Sequence, residues 1–112
     1  MTDREIAEAL EKALQDAKAE DVKLYDVSDH SSITDYTVVA TGTSAPHLRA
    51  LVRDADNALN KLGVHSVRQS GEPDTGWVLL DYINVIVHVF SPEARTYYDI
   101  EKIWTDGKKQ AK

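Results

Sequence analysis

The chain predicts an α/β fold, a single domain in which a mixed β-sheet of about five strands is flanked by helices. Two stretches place apolar residues at helical spacing, and five short runs are β-branched or alternate in polarity. The step from Tyr36 through the second helical stretch to Val67 has the length of a crossover, which predicts two parallel strands. By contrast, Trp77–Asp81 and Val85–Phe90 are close enough to form an antiparallel hairpin.

The elements follow in order. Thr2-Asp3-Arg4-Glu5 fits a capping box, and Ile6, Leu10, Leu14 and Ala17 then fall on one helical stripe. Val22–Val27 alternates as a strand, and the β-branched Tyr36–Thr41 suits a more buried one ending at Gly42. A second helix begins near Thr43 or Ser44, tolerates Pro46 in its first turn, and carries Leu48, Leu51, Val52, Ala55, Leu59 and Leu62 on one face before Gly63 ends it. Val64–Ser70 reads as a strand and Gly71–Gly76 as a loop, followed by the hairpin. Ser91-Pro92-Glu93 caps a final helix reaching Trp104. Beyond Gly107 the Lys-rich stretch 107–112 is expected to fray.

At 112 residues the chain forms one domain over 1–112, able to bury about two-thirds of its unfolded surface. It has no cysteine, so disulfides and thiolate metal sites are excluded, and no apolar run approaches the roughly 20 residues that span a membrane. Met1–Glu5 lacks the apolar core of a signal peptide, so a soluble cytoplasmic protein is expected. Net charge is −6, with 9 acidic against 4 basic residues in 1–29. No clustered basic stripe is present, so no direct grip on a nucleic-acid backbone is expected. A negative balance equally suits a domain that only has to stay dissolved.

Catalytic constellations are missing. Thr41-Gly42-Thr43-Ser44 before a helix could cradle a phosphate on backbone N–H groups, although such a turn more often only caps its helix. Nucleotidyl transfer also needs converging carboxylates. Asp54 and Asp56 lie two apart on a helix and point to nearly opposite sides, while Asp81 has Leu79 and Ile83 as its same-face neighbours. His30, His47, His65 and His88 lack the spacing of a helical zinc pair, so no metal and no cofactor are expected. His88 alternates with Ile86 and Phe90, as a hydrogen-bonded core or interface histidine would.

A contact surface is more legible. Trp77, Leu79 and Asp81 project to one side of their strand, with Val78 and Leu80 on the other. On the last helix Thr96, Tyr97, Ile100, Ile103 and Trp104 form the expected inward stripe. Tyr98 and Glu101 border it, and Arg95, Asp99 and Lys102 are expected to face water. Trp and Tyr beside carboxylates is the composition of an interface hot spot, though Trp77 could instead plug the sheet edge.

Three motifs recur here in order: Gly76-Trp77-Val78-Leu79-Leu80-Asp81, Val85-Ile86-Val87-His88-Val89-Phe90, and Arg95-x-Tyr97-Tyr98-x-Ile100-Glu101-x-Ile103-Trp104. Together they resemble the signature of the ribosomal silencing factor (Iojap-related) family. Lys18–Asp21, Asp26–Ser28 and Thr34–Ser44 extend the resemblance over nearly the whole chain. It implies a nucleotidyltransferase-like fold without enzymatic activity. It further implies a translation repressor that binds the large ribosomal subunit through large-subunit ribosomal protein fourteen, blocks joining of the small subunit, and is a homodimer when free. With the acidic balance, it points to a basic protein rather than RNA as the surface gripped. Trp77, Leu79, Asp81, Tyr98 and Glu101 are then the expected partner contacts, with His88, Arg95 and Trp104 structural or at the interface. Two alternatives stand beside this: a nucleotide-binding or nucleotidyltransferase enzyme, and a large-subunit assembly factor. Where the family commonly has Gly-Asp in the hairpin turn, this chain has Ile83-Asn84, which predicts a reshaped turn because a β-branched residue resists positive φ.

Overall fold

The computed structural model describes residues 1–28 and 34–104; His30 and the stretch 107–112 lie outside the described residues. Helix α1 (Asp3–Asp16) opens on the expected capping box: Thr2 Oγ1 accepts from the Glu5 amide, and Glu5 reaches back to the Thr2 amide. It buries Ala7, Leu10 and Leu14, with Ile6 and Ala17 packed partly against the same core. The helix ends without a glycine. Lys18 itself takes the left-handed conformation (φ 71°), so that its amide bonds Gln15 O and the next amide bonds Leu14 O.

Strands β1 (Glu20–Asp26) and β2 (Tyr36–Thr41) pair antiparallel, with a bulge between Glu20 and Lys23. Helix α2 (Ala45–Lys61) is capped by Ser44 and buries Leu48, Leu51, Val52, Ala55 and Leu59. Leu62, expected on that face, is exposed, because the helix turns out through Gly63 at φ 81° just after it. Strand β3 (Arg68–Glu72) starts later than expected and runs through Gly71, so the loop shrinks to a 3₁₀ turn at Pro73–Thr75. Strands β4 (Trp77–Asp81) and β5 (Val85–Phe90) form the expected antiparallel hairpin.

The sheet order is β1-β2-β5-β4-β3, and among the described residues the one parallel pairing is β2 with β5. The crossover through α2 makes β2 and β3 run parallel, as expected, but not as neighbours. It carries the chain to the far edge, where β3 pairs antiparallel with β4. The polar sequence of β3 explains this: Arg-Gln-Ser-Gly-Glu suits an edge, whereas Val85–Phe90 can be buried on both faces at the centre.

Helices α1 and α2 share one face of the sheet, over Val38, Ala40, Val78, Leu80, Val85, Val87 and Val89. The opposite face carries a smaller cluster, Val39, Phe90 and Ala94, against which Tyr25, Trp77, Ile100 and Trp104 pack. Its cover is helix α3 (Pro92–Tyr98) and a helical turn at 101–104. These are not one helix. Asp99 takes the left-handed conformation (φ 48°, ψ 43°) and breaks the run after seven residues. The helical phase therefore does not carry across: Thr96, Tyr97 and Ile103 point outward, and only Ile100 and Trp104 of the expected stripe turn in.

Candidate functional site

Alternation along β4 puts Trp77 and Leu79 on the sheet face that α1 and α2 leave uncovered. There they meet Tyr98, whose ring lies 4.6 Å from that of Trp77, centroid to centroid. Together with Ser70, Gly71 and Thr75 they line an open cleft of about 290 Å³. Three of the five expected contact residues are thus brought together. A second hollow of about 370 Å³ adjoins it, lined by Thr75, Ser91, Glu93, Ala94, Tyr97 and Tyr98. Trp77 is held within the cleft. Phe90 lies 5.0 Å from it, and the indole N–H donates to His88 Nδ1 at 3.1 Å. Gly71 makes the cleft possible, since at φ 88° a side-chain carbon there would stand 2.2 Å from the Trp77 carbonyl oxygen.

The two expected acidic contacts are already engaged within the chain. Asp81, at the far end of β4, accepts from the Ile83 amide at 2.7 Å and pairs with Arg68 at 3.4 Å. It fastens the hairpin turn, where Ile83 does adopt positive φ (75°) and the Asn84 amide bonds Tyr82 O. The expected reshaping therefore takes the form of a γ-type turn. Glu101 lies beneath the 101–104 turn, where its carboxylate receives Arg95 Nε at 2.7 Å, Arg95 Nη2 at 3.0 Å and the Tyr25 hydroxyl.

Arg95, expected to face water, is the centre of that network. Its side chain is only 11% exposed, and Nη1 also donates to Asp21 O at 2.7 Å and Thr41 Oγ1 at 2.8 Å. Burial pushes the Glu101 carboxyl up, but the hydrogen bonds from Arg95 and Tyr25 outweigh it and hold the group below the usual range. Burial pushes the Tyr25 hydroxyl well up, and its bond to Glu101 adds to that. Trp104 closes the assembly, 5.6 Å from the Tyr25 ring and 6.3 Å from that of His88. His88, Arg95 and Trp104, expected to be structural or at the interface, come together here, Trp104 within the C-terminal turn and the other two beneath it.

Three further carboxylates lie elsewhere, two of them in the stretch Gly71–Gly76. Glu72 sits opposite Trp77 in the strand register, Asp74 precedes Thr75 in the turn, and Glu93 lines the second hollow. Among the described residues none of the three enters an ion pair. Ser70 was missed as a lining residue. Recognising that β3 extends to Glu72 would have found it, since Ser70 and Glu72 then face Leu79 and Trp77.

Two of the amides of the Thr41–Ser44 turn are already engaged within the chain. The Gly42 amide bonds Phe90 O, the Thr43 amide bonds His47 Nδ1 at 2.9 Å, and the Ser44 hydroxyl caps the His47 amide. Asp54 pairs with Arg53, and Asp56 accepts from the Tyr82 hydroxyl at 2.7 Å, so the two diverge. His65 bonds Asn60 and is remote from His47 and His88. Among the described residues no group of three or more His, Asp or Glu is arranged to hold a metal ion, and no helix is long and apolar enough to cross a membrane.

Known proteins share both sequence and fold with this chain. A protein named ribosomal silencing factor from Chromobacterium violaceum is 38% identical over 105 residues, 94% of this chain and 86% of that one. Its namesake from Bacillus subtilis is 31% identical over 107 residues, covering 96% and 91%. A solved structure from Chromobacterium violaceum superposes with a TM-score of 0.90 at 37% identity, covering 94% of this chain and 88% of that one. A mouse protein named for mitochondrial assembly of the ribosomal large subunit is 32% identical over 95 residues, 82% of this chain and 42% of that one. A family model described as ribosomal silencing factor during starvation matches residues 1–112, and the chain belongs to that family.

Proposed function

We propose that this chain binds the large ribosomal subunit in the cytoplasm through large-subunit ribosomal protein fourteen, on the face where the small subunit docks, and so represses translation by blocking subunit joining. The observation that carries the reading is the cleft. It exposes Trp77, Leu79 and Tyr98 as a prepositioned apolar anchor, with Glu93 lining the adjoining hollow and Glu72 opposite Trp77 in the strand register, neither in an ion pair among the described residues. That combination suits an apolar side chain flanked by Lys or Arg on a basic protein. Family membership supports the ribosome as the place where such a protein is met. No chemistry is required, because a body of 37 × 33 × 22 Å seated on a joining surface excludes the other subunit by its thickness alone. Asp81 and Glu101 serve this surface by fastening the turn and the C-terminal segment.

In a sucrose gradient the protein should travel with free large subunits and be absent from joined ribosomes; equal recovery on small subunits would refute the reading. Trp77→Ala should weaken binding to isolated ribosomal protein fourteen at least about 30-fold, the cost of a hot-spot anchor. The mouse relative's name favours a second reading, assembly of the large subunit through the same surface. Accumulation of immature large-subunit particles on depletion would select it. The exposed Tyr97 and Ile103 suit self-association, and light scattering should report about twice the 12.5 kDa chain mass for the free protein.

A further inference from the structure

His88 interrupts an otherwise apolar strand, Val85–Phe90, and lies against Trp77, Phe90 and Trp104. A phenylalanine there would fill the space without the desolvation that an imidazole suffers, so packing alone does not account for it. Its polar contact does. Trp77 and His88 are diagonal neighbours across β4 and β5, since Trp77 pairs with Phe90 and His88 with Leu79. From that position Nδ1 takes the Trp77 indole N–H at 3.1 Å.

Trp77 touches Tyr98 and Phe90 as well, but ring contacts tolerate sliding and tilting, with interplanar angles here of 45° and 35°. A hydrogen bond does not tolerate such movement, because it weakens steeply with angle. The half-exposed indole therefore has one directional restraint. The imidazole can provide it only with an unprotonated Nδ1, which assigns the proton to Nε2. Burial holds His88 down, at about 4, against the opposing pull of the Glu101 carboxylate, so that lone pair is available at neutral pH.

We propose that His88 is the positioning residue of the docking cleft: its Nδ1 fixes the Trp77 indole in the orientation that the partner's side chain meets. The proposal rests on the reading of the cleft as the docking surface. Fixing an anchor before contact reduces what binding must spend on ordering it.

Three variants separate positioning from filling. His88→Phe keeps the ring and removes the acceptor. His88→Asn loses the ring but places an amide oxygen near the position of Nδ1. His88→Gln moves the acceptor one bond further out. The first measurement is on the free protein, the indole N–H resonance of Trp77, assigned against Trp104→Phe. The second is affinity for large ribosomal subunits, with thermal melting recorded for each variant. Positioning predicts that His88→Phe and His88→Gln shift and broaden the Trp77 resonance and weaken binding about fivefold, the worth of one neutral hydrogen bond, while His88→Asn retains both at lower melting temperature. The opposite order, with His88→Phe indistinguishable from wild type and His88→Asn impaired, overturns the proposal in favour of packing. If Trp77→Ala binds large subunits like wild type, the docking reading itself falls, whatever the resonance shows.

Discussion

Replacing Glu101 by Gln should release the C-terminal segment while leaving the sheet intact. From the described residues the carboxylate accepts three hydrogen bonds, two from Arg95 and one from the Tyr25 hydroxyl, and the two charged side chains are 11% and 18% exposed. A fully solvated ion pair is worth under about 1 kcal/mol, whereas breaking a buried one costs roughly 3–5. This pair lies near the buried limit. A glutamine keeps the shape and, with its oxygen in the Oε2 position, the bonds from Arg95 Nη2 and Tyr25, but it turns an NH₂ toward the Arg95 Nε–H and takes away the charge that faces the buried guanidinium. About 2–4 kcal/mol follows. The loss should be local, because residues 100–104 touch the rest of the chain chiefly through this network, Ile100 and Trp104. In a Trp77→Phe background, Trp104 fluorescence should therefore report release at lower urea than far-UV circular dichroism does. Arg95→Met should do the same, and the double variant should be little worse than either, giving a coupling of about 2 kcal/mol. Additive single effects below about 0.5 kcal/mol would show that the network behaves as a surface ion pair and that Trp104 alone holds the segment.

Three further outcomes follow from the structure. Lys18→Gly and Ile83→Gly should each raise stability by about 0.5–1 kcal/mol, because both side chains are exposed and both residues hold positive φ at a cost a glycine avoids; a lowered melting temperature at either site would refute this. His88 is held near 4 when folded against about 6.5 unfolded, so the unfolded chain binds the extra proton and stability should fall by about 2 kcal/mol between neutral pH and pH 5, a slope that His88→Phe removes. Neutralising Glu72, Asp74 and Glu93 together should lower the on-rate for a basic partner and flatten its salt dependence while leaving thermal stability unchanged, whereas Asp81→Asn should act mainly on stability through the Ile83 turn.

The fold was legible wherever a local signal agreed with its surroundings. The capping box at Thr2, the apolar face of α2 and the Trp77–Phe90 hairpin lie where their periodicity puts them. The Asp99 break was not legible, because helical spacing across Arg95–Trp104 is good and an aspartate in the left-handed region leaves no mark in such a pattern. That one residue moved Arg95 from solvent into a network and turned Tyr97 outward. The strand order escaped for a different reason. Crossover length limits which strands can be parallel, but edge or centre is decided by how much apolar surface each strand offers on both faces, and only a comparison of Arg68–Glu72 with Val85–Phe90 reveals it. Of the candidate site, the apolar anchors were readable from alternation on β4. The intrachain partners of Asp81 and Glu101 were not readable, because charge in a sequence does not disclose whether a group inside the fold has already engaged it.

The half-exposed cleft is a consequence of uneven covering. Both long helices lie on one face of the sheet, which satisfies the apolar residues of that face almost completely. The other face has only α3 and the 101–104 turn, and these reach no further than Phe90, Val39 and the near side of Trp77. A longer final helix would have buried Trp77 and made it an ordinary core residue. By stopping α3 at Tyr98 and returning the chain through Asp99, the sequence leaves one side of the indole open and ties down the other through His88, Phe90 and Tyr98. The Arg95–Glu101 network is then what keeps so short a cover in place. Loosening it should blunt the anchor without touching any residue that lines the cleft, apart from Tyr98 at its border.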